Sequence, residues 1–143
     1  MAGDDFFGEF DALFVELAKR SRTGRFEPNC DVYLSDGGET LVVTVEIAGA
    51  DPEELRIGVD ERHLFVIGQR SNRSRSRLGS VLMKEIDYGD FVKKIHLPVS
   101  VAYADATASY RDGMLTIQIP ISRAADRPTG RTEIQMTVRR ILV

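Results

Sequence analysis

The chain has 143 residues, the size of one domain, and its 43% hydrophobic content is enough to build a core. Charged residues make up 29% and the net charge is −3, an ordinary polar surface with no global attraction for nucleic acid. Cys30 is the sole cysteine, which excludes an intramolecular disulfide, and with His63 and His96 as the only histidines no metal centre and no cofactor are expected.

The first segment places Phe6, Phe7, Phe10, Leu13, Phe14 and Leu17 at helical spacing, with Asp4, Asp5, Glu9, Asp11 and Glu16 on the other faces. Acids at its start and Lys19 and Arg20 at its end suit the helix dipole, so an amphipathic helix is expected in an N-terminal arm, 1–28. Burying each phenylalanine contributes about 2–3 kcal/mol, so the stripe needs a partner: its own domain, another copy, or a client protein.

From Asn29 the period changes to two, with strands expected over 30–34, 40–47, 55–60, 63–69, 91–97, 104–110 and 114–119. Leu41, Val43, Val45 and Ile47 share one face, as do Leu115, Ile117 and Ile119. These two apolar faces suit an antiparallel β-sandwich of immunoglobulin type over 29–121. Turns are expected at Asp36-Gly37-Gly38, Asp60-Glu61-Arg62 and Asp112-Gly113. A single helical turn is expected at 50–54, with Asp51 as N-cap and Pro52 in first position.

The stretch between Gln69 and Asp90 is too long for a structureless loop in a compact domain. Its first half carries Arg70, Arg73, Arg75 and Arg77 among serines. No aromatic side chain interleaves with them to stack on bases, so a solvated loop is expected and not a nucleic-acid site. Its second half holds Leu78, Val81, Leu82 and Met83, a short strand with no place in its own sheet, which suggests pairing with another subunit. After Pro120 the tail, 122–143, begins as a polar, flexible hinge. Apolar alternation then returns at Ile134 and Met136 and again at Ile141 and Val143, each pair able to add to a sheet edge.

Three stretches carry a resemblance to the small heat shock proteins, the α-crystallin domain family. Residues 45–55, VEIAGADPEEL, look like the family's strand, Pro-Gly turn and acidic turn; residues 89–98, GDFVKKIHLP, look like its strand ending in Leu-Pro; residues 108–115, ASYRDGML, are similar to its A-x-x-x-(N/D)-G-(V/M)-L signature. The resemblance implies a sandwich that dimerises by lending a strand from the long loop, here around Leu78, Val81, Leu82 and Met83, and then assembles into larger homo-oligomers. The family's loop often has an aromatic before Glu-Arg, where this chain has Val81 and Glu85-Ile86, so the register of that strand stays open. The family's C-terminal I-x-I/V motif is matched by Ile134 and Met136 or by Ile141 and Val143. Family analogy puts its groove between the strands 55–60 and 104–110, at Leu55, Ile57, Val59, Ala106 and Ala108.

The function implied is ATP-independent holding of partly unfolded clients, with the arm's apolar stripe as capture surface. The rival is a co-chaperone-like sandwich that binds one folded partner. No phosphate loop of the G-x-x-x-x-G-K-S/T type is present and no motif joins Cys30, His63 and His96, so no catalytic residues and no small-molecule substrate are expected. The start lacks the basic and apolar regions of a secretory signal, and no apolar run approaches the ~20 residues of a membrane span. No membrane partner and a cytoplasmic location are therefore expected.

Overall fold

A computed structural model describes residue 12 and residues 26–72, 79–122, 131–134 and 136–138. Seven strands form the sandwich: β1 (Cys30–Leu34), β2 (Thr40–Glu46), β3 (Arg56–Asp60), β4 (His63–Arg70), β5 (Gly89–His96), β6 (Thr107–Arg111) and β7 (Met114–Pro120). Two short tail strands follow, β8 (Arg131–Glu133) and β9 (Met136–Val138). One sheet has the order β1-β2-β7-β6-β9 and the other β5-β4-β3-β8. All pairings are antiparallel except that of β9 with β6.

The two apolar faces legible in the sequence are cross-strand partners: Leu41 lies opposite Ile119, Val43 opposite Ile117, and Val45 opposite Leu115. All are buried, and they meet Ile57, Val59, Leu64, Val66, Phe91 and Ile95 of the second sheet in one core. Period-two patterning thus becomes packing, because alternate residues of a strand point to one face.

The turns follow their side chains. Asp60 Oδ1 accepts the N–H groups of Arg62 and His63 at 2.8 and 2.7 Å and closes the β3–β4 turn. Asp112 and Gly113 both have positive φ, 54° and 77°, the conformation of the two-residue hairpin loop that matches strand twist. Asp51 accepts from Glu53 N at 3.1 Å and caps the short 3₁₀ turn Pro52–Glu54, as its position before proline predicts.

One expected strand begins later than the alternation suggests. Tyr103–Asp105 is a 3₁₀ turn, closed by Ala106 N–H donating to the Tyr103 carbonyl at 3.2 Å, and β6 starts only at Thr107. Burying the Tyr103 ring under the sandwich fixes the chain there in a turn, and local alternation does not register that.

Candidate functional site: the edges of the sandwich

A sandwich leaves edges, and unpaired edges invite pairing with other chains. On one side the free edges are β3 in one sheet and β6 in the other, and the tail occupies both. β8 pairs antiparallel with β3, with Val59 opposite Thr132. β9 pairs parallel with β6, with Ala108 opposite Met136. Between them Ile134 donates its N–H to the Ile57 carbonyl at 2.9 Å. The Ile134 side chain is only 6% exposed and belongs to the same apolar cluster as Leu55, Ile57, Val59 and Ala108, with Ala106 half-buried beside it.

Of the groove residues expected from the sequence, Leu55, Ile57, Val59 and Ala108 share the apolar core cluster with Ile134, and Ile57 is also bound to it through the backbone. Leu55, Ile57 and Val59 are core residues, and the buried Ile134 joins their cluster. The backbone of Met136 is paired with β6; Ile141 and Val143 lie outside the described residues.

The opposite edge of the larger sheet is β1. Among the described residues it pairs with β2 alone, and its Val32, Tyr33 and Leu34 are exposed. The second half of the long loop is also exposed: Val81 is 68% accessible, Leu82 97%, Met83 79% and Ile86 57%. Within one chain residues 81–88 form no strand. Leu78 lies outside the described residues, as do Phe6, Phe7, Phe10, Leu13, Phe14 and Leu17 of the arm and Arg73, Arg75 and Arg77 of the loop.

Arg70, grouped by sequence with the solvated arginines, has a different role. Its Nε and Nη2 donate to the Asp87 carbonyl at 2.9 and 2.5 Å, and its Nη1 to the Ala48 carbonyl at 3.3 Å. The guanidinium lies 3.6 Å over the Phe26 ring, and Phe26 meets Phe91 edge-on at 5.5 Å. One side chain thus fastens the foot of the loop, the end of β2 and the start of the domain to one another. The only sequence hint is its place at the end of an alternating strand, not in the loop proper.

Tyr110 supplies a second tie. Its hydroxyl donates to the Ile47 carbonyl at 2.6 Å, in a buried position. Burial raises its pKa above the ordinary 10.0, against smaller lowering effects of a backbone hydrogen bond from Ala50 and the charge of Arg70. Among the described residues there is no cluster of three or more metal-binding side chains, no unsatisfied buried side-chain polar atom, and no helix long and apolar enough to cross a membrane.

These features have close counterparts. The Hsp20/alpha crystallin family model matches residues 34–137. The small heat shock protein C2 of Rickettsia felis is 30% identical over 117 residues, covering 82% of this chain and 73% of that one. The 16.9 kDa class I heat shock protein 3 of Oryza sativa subsp. japonica is 29% identical over 119 residues, covering 81% and 80%. Among solved structures, a small heat-shock protein from Xylella fastidiosa, described as having a distinct high order structure, is 29% identical. It superposes with a TM-score of 0.61 over 84% of this chain and 98% of that one. With the two-sheet sandwich, the acidic turn and the Asp-Gly hairpin all in the family's order, the chain belongs to the Hsp20/alpha crystallin family, the small heat shock proteins.

Proposed function

We propose that the protein is an ATP-independent holdase, which binds partly unfolded proteins and keeps them from aggregating, and that it works as an assembly of strand-exchanged dimers. The observation that carries this is the exposure of Val81, Leu82 and Met83 on a loop beside a sandwich whose β1 edge is also unpaired and apolar. Four exposed apolar side chains on one loop, Ile86 included, are costly in a lone chain and are relieved when the loop adds to the β1 edge of a second copy. Family membership supports the same reading.

In this scheme the seat taken by Ile134 is available to the tail of a neighbouring copy, since the backbone bonds and the apolar fit do not depend on which copy supplies the segment. The arm stripe, Phe6, Phe7, Phe10, Leu13, Phe14 and Leu17, then serves assembly at rest and client capture under stress. The role asks for no catalytic residue, cofactor, small-molecule substrate or nucleic acid, and it fits a cytoplasmic location.

A single experiment tests it. The purified chain, without nucleotide, is mixed with a heat-labile client while turbidity and mass by light scattering are followed. Suppressed turbidity and a mass of many subunits are expected; full client aggregation sinks the holdase reading. The seating of the tail on its own sandwich favours a second reading, a closed monomeric module that binds one folded partner. A monomer with no effect on client aggregation is its signature.

A further inference from the structure

The two histidines of the chain, far apart in sequence, face each other across β4 and β5. His63 lies directly opposite His96, and Leu97 N–H donates to the Arg62 carbonyl at 2.7 Å, which makes the neighbouring pair the hydrogen-bonded one. His63 and His96 therefore occupy a non-hydrogen-bonded position, where opposite side chains approach most closely. Their ring centres are 5.3 Å apart, with the rings at 66°. Two imidazoles bound to one tetrahedral ion, with metal–nitrogen distances of about 2.0–2.1 Å, have ring centres about 5 Å apart.

The surroundings fit the same use. Asp60 is held by the N–H groups of Arg62 and His63, and its Oδ1 lies 3.5 Å from His63 Nδ1. A carboxylate at this ion-pair distance puts negative charge behind Nδ1 and leaves Nε2, on the far side of the ring, as the nitrogen to ligate, a placement akin to the carboxylates that stand behind histidines on metals. His96 is exposed and His63 half-buried, so an ion has access and keeps room for water ligands. The ammonium of Lys94, two residues before His96, lies over the Phe65 ring, 5.9 Å from its centre.

We propose that His63 and His96 form an open two-histidine site for a borderline divalent transition ion such as Zn²⁺ or Cu²⁺, with Asp60 as the positioning residue behind His63. Imidazole suits these ions over Mg²⁺ or Ca²⁺, which prefer oxygen. Bound there, the ion staples the β5 edge strand to β4.

The test uses the full chain titrated with Zn²⁺ alone and with Cu²⁺ alone. One ion per chain is expected, with two nitrogen couplings in the Cu²⁺ spin-resonance spectrum and a higher thermal midpoint with Zn²⁺. His63→Gln and His96→Gln, singly or together, should abolish the two-nitrogen signal and the midpoint shift. Asp60→Asn, which still accepts the turn N–H groups, should weaken binding about 10–100-fold. Unchanged binding in the double variant, through Cys30 or scattered carboxylates, overturns the site. So does binding in the unaltered chain no stronger than in that variant. Mg²⁺ serves as the control ion and should leave the midpoint unmoved.

Discussion

Single residues set how closely neighbouring strands pack in this sandwich. Gly68 has no room for a side chain: a Cβ there would meet the Phe91 ring and lie 2.7 Å from Leu55 Cδ2. Phe91 is fully buried and cannot swing aside. Gly68→Ala should therefore cost about 1–3 kcal/mol by overpacking, seen as a lower denaturant midpoint with an unchanged slope. Tyr110 sets a pH dependence. Its folded pKa is raised by burial, so the unfolded chain ionises first. Its contribution is whole below about pH 10, the unfolded value, and is lost as pH rises through the folded one. Tyr110→Phe should lose about 1 kcal/mol at neutral pH with the bond to the Ile47 carbonyl. It should also flatten the alkaline fall in stability, as urea titrations at pH 7 and above pH 10 would show. Tyr103, whose pKa burial also raises, should retain its own share of that fall.

At the scale of elements, the tail and the long loop are the parts with a choice of partner. β8 and β9 are three residues each, too short to hold by backbone bonds alone, so Ile134 is the anchor of the tail. Changing Ile134 and Met136 together to glycine should leave the seven-stranded sandwich folded and shrink the assembly toward dimers. If native size persists, and altering Ile141 and Val143 shrinks it instead, the second motif is the one that docks. Removing residues 78–83 should give monomers by light scattering, and a surviving dimer would refute exchange through this loop. Arg70 stays with the sandwich in either case, because its contacts at Ala48 and Asp87 lie at the foot of the loop and not along it.

For the whole molecule, the proposed function turns on apolar surface left exposed among the described residues. The loop and the β1 edge display it, and the arm stripe, which lies outside the described residues, is proposed to act with them. Replacing Phe6, Phe7, Phe10 and Phe14 with serine should leave the circular dichroism of the β-sandwich intact. It should also reduce suppression of client aggregation severalfold. Unchanged suppression would remove the arm from the mechanism.

Much of this architecture is legible in short stretches of the chain. Strand alternation, the Asp-Gly hairpin and the capped turn at Asp51 are local signals, each written in a few adjacent residues, and they determined the sandwich and the family resemblance. A tail groove at Leu55, Ile57, Val59, Ala106 and Ala108 is expected only through that resemblance. What the sequence leaves undecided depends on contacts between distant residues. Only the tertiary structure turned Arg70 from a loop cation into a clamp, ended the alternation before β6 in a turn under Tyr103, and set His63 against His96. Pattern along a chain fixes which face a side chain takes, whereas its partner is chosen by sheet register, a property of two strands at once.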